Sequence, residues 1–146
     1  MRQRLTLIRD AKPADIDAIY QIEKENFNRP WSEISLMNEF KKQKSDFLVY
    51  EINGLVAGYI IFWYILDEAE IGIISVSKDH QLKGIAVELL KYCISMHPEV
   101  NRIYLEVDKT NSGAISLYNK FGFKTTGYIK NYYGNGKDAQ RMALSF

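Results

Sequence analysis

The 146-residue sequence has one cysteine, two histidines and three prolines, and each scarcity excludes something. A lone thiol, Cys93, allows no internal disulfide framework and fits a reducing compartment, and the surrounding LLKYCISM reads as a buried helical face. His80 and His97 have no Cys or carboxylate at a ligand-like spacing, so no metal is expected. Charge of one sign is missing too: 19 Lys and Arg against 18 Asp and Glu leave +1, which gives no general attraction for nucleic acid. The basic clusters Arg2, Arg4, Arg9 and Lys41, Lys42, Lys44 are short enough to be solvated surface. The longest apolar run, Val56 to Leu66, falls short of the about 20 residues of a membrane helix. MRQRLTLIRDAKP lacks the apolar stretch and small-residue cleavage site of a secretion signal, so the cytoplasm, with no membrane partner, is the expectation.

What is present is a globular composition, 47% hydrophobic and 25% charged, sized for one domain over 1–146. Leu5 to Arg9 is a strand candidate. Pro13 then suits a first helical turn, and Ile16, Ile19, Ile22 and Phe27 predict a helix over 13–26. Ser32 can cap a second helix striped by Leu36, Met37 and Phe40. Phe47 to Ile52 and Val56 to Leu66 are strands flanking Asn53-Gly54, a strong hairpin signal whose loop length Leu55 leaves open. A turn through Leu66, Asp67, Glu68 and Ala69 leads to a strand over Glu70 to Val76.

Gly84 precedes a helical pattern at Ile85, Leu89, Leu90, Tyr92, Cys93 and Met96, which Pro98 stops, and Arg102 to Val107 is the next strand. Strand, helix and strand in that order make a crossover, with the two strands parallel in one sheet. Asn111 or Ser112 caps a last helix that Gly122 terminates, and Phe123 to Tyr128 and Ala139 to Leu144 close the chain around the loop Tyr133 to Asp138. The expected fold class is α/β, a mixed sheet with helices on both faces.

Between the central strand and the crossover helix lies Gln81-Leu82-Lys83-Gly84-Ile85-Ala86. A glycine entering a helix lets backbone approach a ligand, and the first turn offers unpaired amides at the positive end of the helix dipole, a site for phosphate. Lys83 adds a charge. The spacings GxxxxGK[ST] and GxGxxG are both absent, which lowers the weight of nucleotide-triphosphate and dinucleotide binding. Alone, such a glycine is as readily structural.

The same segment matches the coenzyme motif of the GNAT superfamily of N-acetyltransferases: Gln or Arg, two residues, Gly, one residue, Gly or Ala. A second block, Leu105-Glu106-Val107-Asp108-Lys109-Thr110-Asn111 through Ala114, Leu117, Tyr118 and Gly122-Phe123, resembles LEVRxxNxxAxxLYxxxGF, with Asp108 in place of Arg. Asn131-Tyr132-Tyr133, Asp138-Ala139 and Met142-Ala143-Leu144, with Pro30-Trp31-Ser32 near the other end, are similar to the ribosomal-protein-alanine acetyltransferases within that superfamily. The likeness spans nearly the whole chain.

The resemblance implies acetyl-CoA as cosubstrate and a splayed GNAT sheet. The family's amides over Gln81, Leu82, Lys83, Gly84, Ile85, Ala86 and Val87 hold the pyrophosphate, and main-chain groups of Ile74, Ser75 and Val76 meet the pantetheine arm. Leu82 and Val87 stand where the commoner motif has Arg, which implies weaker coenzyme binding resting on amides and Lys83. Asn111 is used by the family near the coenzyme, although an N-cap needs it equally. Glu106 and Tyr118 match the family's general base and general acid. Trp31, Glu68, Tyr132 and Tyr133 are expected along the acceptor path, with Glu68 attracting a positive amino terminus.

The chemistry agrees with that assignment. A peptide α-amino group, with a reference pKa of about 7.7–8.0, is roughly one quarter neutral near pH 7.3, whereas a lysine near about 10.4 is roughly 0.1% neutral. A terminal amine therefore needs only mild help from a base such as Glu106, and a protonated phenol such as Tyr118 can donate to a departing thiolate. Context-free, Glu106 would be a solvated strand residue, Tyr118 a packing residue and the tyrosine pair a cover for the sheet. The leading expectation is acetylation of a protein amino terminus, the alanine of a small-subunit ribosomal protein first. An archaeal-type enzyme of broader specificity, a small-amine or lysine acetyltransferase and a non-catalytic acetyl-CoA sensor are the alternatives. Residues alone leave the oligomeric state open.

Overall fold

The computed structural model describes residues 4–146, so Arg2 lies outside the described residues. Its seven strands are β1 (Thr6–Asp10), β2 (Ser45–Ile52), β3 (Leu55–Ile65), β4 (Glu68–Val76), β5 (Arg102–Asp108), β6 (Lys124–Ile129) and β7 (Ala139–Ser145). The helices are α1 (Ile16–Asn26), α2 (Glu33–Glu39), α3 (Ile85–Met96) and α4 (Ser112–Phe121), with short 3-10 turns at Pro13–Asp15 and Lys78–His80. The strands form one mixed sheet in the order β1-β2-β3-β4-β5-β7-β6, flanked by helices. The chain divides into two compact units, one running through Trp63 and including Gly72–His97, the other comprising Tyr64–Ile71 and Pro98–Phe146.

In the first unit β1, β2 and β3 are antiparallel neighbours. Because strand side chains alternate, Phe47, Val49, Tyr59 and Ile61 share one face, where they pack with Ile16, Ile19, Ile22 of α1 and Leu36 of α2. The opposite face carries Leu48, Ile60 and Phe62, and α3 lies there, the His97 ring stacked on Phe62 at 5.9 Å. His97 Nε2 also sits 2.5 Å from Asp46 Oδ2, a carboxylate partner far away in sequence. Cys93 is fully buried on the inner side of α3, and burial pushes its thiol pKa up.

Asn53 and Gly54 both have positive φ, and Ile52 pairs with Leu55, so the hairpin loop is two residues long, in the conformation that suits strand twist. The expected helix over 13–26 begins instead as a 3-10 turn and becomes α-helical only at Ile16. There Arg9 takes the Asp15 carboxylate through two 2.8 Å bonds, and Asp15 Oδ2 also accepts from Lys12 N at 2.7 Å.

In the second unit Glu68, Ala69 and Glu70 of β4 run parallel to Arg102, Ile103 and Tyr104 of β5, and that register covers only those three pairs. The expected four-residue turn from Leu66 to Ala69 is shorter: Leu66 takes a positive φ and Glu68 is already strand. β5 and β6 both pair antiparallel with β7. Asn111 caps α4, its Oδ1 accepting from Ala114 N at 3.1 Å, and Gly122 ends the helix at φ 120°.

Candidate active site

β5 buries Ile103, Leu105 and Val107 on one face and turns Arg102, Tyr104, Glu106 and Asp108 to the other. Its neighbours bring two more groups to that second face. Parallel register sets Glu70 beside Tyr104, and antiparallel register sets Arg141 opposite Glu106. The Glu70 carboxyl lies in reach of that of Glu106, and burial first, then this neighbour and its charge, raises its pKa against the opposing pull of Arg141. A like charge at such a distance disfavours the ionised form of Glu70. Arg141 Nε lies 3.6 Å from Glu106 Oε1, and its guanidinium stands over the Tyr104 ring at 5.3 Å.

Around this pair the structure gathers the tyrosines singled out in the sequence. Tyr132 and Tyr133 meet edge to face at 4.9 Å. Burial raises both hydroxyls, Tyr133 to about 12, and nearby Glu106 adds to each shift. Tyr118 is buried with its ring edge on Phe123 at 5.6 Å, and burial followed by the proximity of Tyr133 raises its hydroxyl far above neutrality. Its proton therefore stays in place across the working pH range. It can be donated, but the ring also packs the helix, so both expected roles share one geometry.

The loop carrying the tyrosine pair is held by Asp138. Its carboxylate accepts from Asn131 N at 3.0 Å and from Lys109 Nζ at 3.2 Å, and these two donors hold its pKa below the usual carboxylate range. Glu68 lies two residues before Glu70 on the same face, exposed at the start of β4. Asn111 is used as the α4 cap, which leaves its amide N–H groups for other contacts.

The other expected group of residues belongs to the first unit. Leu82 and Gly84 both take left-handed conformations, at φ 64° and 82°, and a Cβ on Gly84 would meet open space. Steric crowding therefore does not select that glycine; its backbone angle does. The first helical bond of α3 runs from Glu88 N to Gly84 O, so the amides of Ile85, Ala86 and Val87 precede it, and no side chain caps this end. Such amides, at the positive helix end and beside exposed Lys83, fit the pyrophosphate of acetyl-CoA.

Gln81 uses its side chain differently: Nε2 donates to Val76 O at 3.0 Å and to Asn26 Oδ1 at 3.1 Å. Ser75 is buried and Ile74 partly so. Trp31 stacks on Trp63 at 6.3 Å, and its backbone N–H donates to Glu23 at 2.9 Å. Glu23 is wholly buried, also takes the Tyr59 hydroxyl bond, and has its pKa raised by that burial.

Sequence reasoning missed Glu70, Arg141, Asn26 and Glu23. Alternation within EIGIISV and RIYLEVD leaves their mutual register open, and only the observed register, with Glu70 beside Tyr104, sets Glu70 next to the row holding Glu106. Among the described residues no group of three or more His, Cys, Asp or Glu could hold a metal.

Comparison with known proteins fits this geometry. Residues 16–123 match the model of the acetyltransferase (GNAT) family. The chain is 34% identical over 139 residues to a Bacillus subtilis protein provisionally described as a [ribosomal protein bS18]-alanine N-acetyltransferase, covering 92% of each. It is 31% identical to an N-alpha-acetyltransferase of Sulfurisphaera tokodaii, covering 93% of this chain and 90% of the relative. The crystal structure of the Escherichia coli bS18-alanine N-acetyltransferase superposes with a TM-score of 0.85 at 31% identity, over 97% of this chain and 94% of the other. With a donor cradle before α3, a carboxyl pair on β4 and β5 and a family match over most of its length, this chain belongs to the acetyltransferase (GNAT) family.

Proposed function

We propose that this protein transfers acetyl from acetyl-CoA to the α-amino group of a protein, with the amino-terminal alanine of a small-subunit ribosomal protein as the first acceptor. The observation that carries this reading is the placement of Glu106 on β5, 3.6 Å from Arg141 and on a strand next to that of Glu70, with the edge-to-face pair Tyr132 and Tyr133 and buried Tyr118 in the same unit. Glu106 takes the proton of the incoming ammonium, directly or through a water. The freed amine attacks the thioester carbonyl, the C–N bond forms, and the C–S bond breaks as Tyr118 gives its proton to the sulfur. The second proton lost by the acylated nitrogen returns through water to the Tyr118 phenolate, and Glu106 releases the first to solvent. Alignment of amine and thioester supplies much of the remaining rate. Exposed Glu68 attracts the cationic terminus, and the tyrosine pair receives the peptide.

The bacterial relatives support alanine and a ribosomal acceptor; the cytoplasm is the compartment we propose for this reaction. The archaeal relative favours a second reading, an enzyme accepting several first residues. The test is a peptide panel with free and blocked amino termini, the first residue varied over Ala, Ser, Met and Thr, incubated with acetyl-CoA and read by mass spectrometry. Acetylation of free termini led by Ala supports the proposal, and comparable rates on several first residues support the archaeal-type reading. Acetyl on internal lysines alone, or on none of the peptides, refutes transfer to a terminal amine.

A further inference from the structure

We infer that Asn26, the last residue of α1, is a positioning residue that sets the coenzyme end of β4; the inference rests on the acetyl-CoA reading above. Its Nδ2 donates to Ser75 Oγ at 2.6 Å and to Val76 O at 2.8 Å, and its Oδ1 accepts from Gln81 Nε2 at 3.1 Å. Gln81 in turn donates to the same Val76 carbonyl at 3.0 Å. One step earlier in α1, Glu25 accepts from Lys78 N at 3.2 Å. The final turn of α1 thus grips the strand end, the 3-10 turn after it and the first residue of the coenzyme loop.

The need for such a grip follows from the sheet. Ladder pairing of β4 with β5 covers Glu68–Glu70 and does not reach Val76, whose carbonyl accepts from the Asn26 and Gln81 side-chain amides. A main-chain carbonyl that accepts from two amides is fixed in direction, and the loop that follows inherits that direction. With both of these contacts made, the Val76 carbonyl is no longer an open acceptor for pantetheine, which narrows the expected main-chain contacts of Ile74 to Val76 toward Ile74 and the amide of Val76. Neither Gln81 nor Asn26 needs to touch the coenzyme to control it.

The experiment uses the full chain, with Asn26→Asp, Asn26→Ala, Gln81→Ala and the Asn26→Asp/Gln81→Ala pair, titrated calorimetrically with coenzyme A. Asn26→Asp keeps the shape but exchanges both N–H donors for an oxygen. It is expected to weaken coenzyme A about five- to tenfold, the size of one or two lost hydrogen bonds. KM for acetyl-CoA should rise alongside, while KM for the acceptor peptide and kcat at saturation stay within about twofold, a split that general destabilisation would not produce. Because both side chains act on one carbonyl, the double variant should lose less than the product of the single losses. Should the Asn26 variants fail to fold, Gln81→Ala, altered at an exposed residue, decides alone. Coenzyme affinity within twofold of the parent overturns the positioning role while leaving the function intact. A parent chain with no response to coenzyme A refutes the functional reading itself, and this inference with it.

Discussion

Gly72 lies beneath the indole of Trp63, and a single methyl group there should be felt both in stability and in how the acceptor-side aromatics sit. A Cβ added to Gly72 would come 2.7 Å from Trp63 Cη2 and 2.9 Å from Cζ2 and Cζ3, all rigid ring atoms. The ring has little room to yield. Its Nε1 donates to Glu39 at 2.7 Å, Lys42 stands over it at 4.6 Å, and Trp31 stacks on it. Overpacking of a well-filled site costs about 1–3 kcal/mol, and a bond to a charged partner, if given up to make space, about 1.5–3 kcal/mol. The lower unfolded-chain entropy of alanine returns about 0.4–1 kcal/mol. Gly72→Ala should therefore destabilise by roughly 1–3 kcal/mol, read as a shift of the urea midpoint at constant m. Phenylalanine lacks the outer indole ring, so in a Trp63→Phe background the same change should cost under about 0.5 kcal/mol. Equal costs in both backgrounds, or a variant as stable as the parent, would show that the Trp63 contact does not govern this glycine.

Three further outcomes follow from the site. Glu106→Gln should lower kcat about 10²–10⁴-fold with coenzyme A affinity unchanged, and an unaltered pH–rate profile from pH 6 to 9 would remove Glu106 as the base. Glu70 has a raised folded pKa, so the folded chain holds a proton that the unfolded chain has released, and its contribution to stability falls as pH climbs from the unfolded value of about 4.5 through the folded one. Glu70→Gln should thus gain on the parent at pH 8 but not at pH 4, and a pH-independent difference in denaturation midpoint would contradict the coupling. Asp138 has the opposite sign: its stabilisation is present above the unfolded value of 3.8 and is lost as pH falls through the lower folded value. Asp138→Asn should raise acceptor KM by loosening the tyrosine loop while sparing coenzyme binding, as steady-state kinetics would reveal.

Elements governed by local chemistry were legible in the sequence. Asn53-Gly54, Ser32, Gly84 and Gly122 each act within a few residues, and the hairpin, cap, helix start and helix stop stand where those residues put them. The motif residues Glu106, Tyr118, Tyr132 and Tyr133 also converge, because one strand, one helix and the loop between β6 and β7 of a single unit carry them. Glu70 was not legible, since a strand glutamate gains a partner only through the register of a parallel neighbour, which the side-chain pattern leaves free to slide. Asn26 and Glu23 escaped for a different reason. Their partners, Val76 and Tyr59, lie 50 and 36 residues away, and no local periodicity announces a polar side chain that satisfies a distant backbone.

The single thiol offers a readout that needs no knowledge of the substrate. Cys93 is sealed between α3 and the sheet with its pKa raised, so an alkylating reagent can reach it only when that helix lifts away. Labelling rates would then count opening events of the coenzyme-side unit, and any small molecule that slows them binds the closed form. A screen for ligands of this protein could be run on that one sulfur atom.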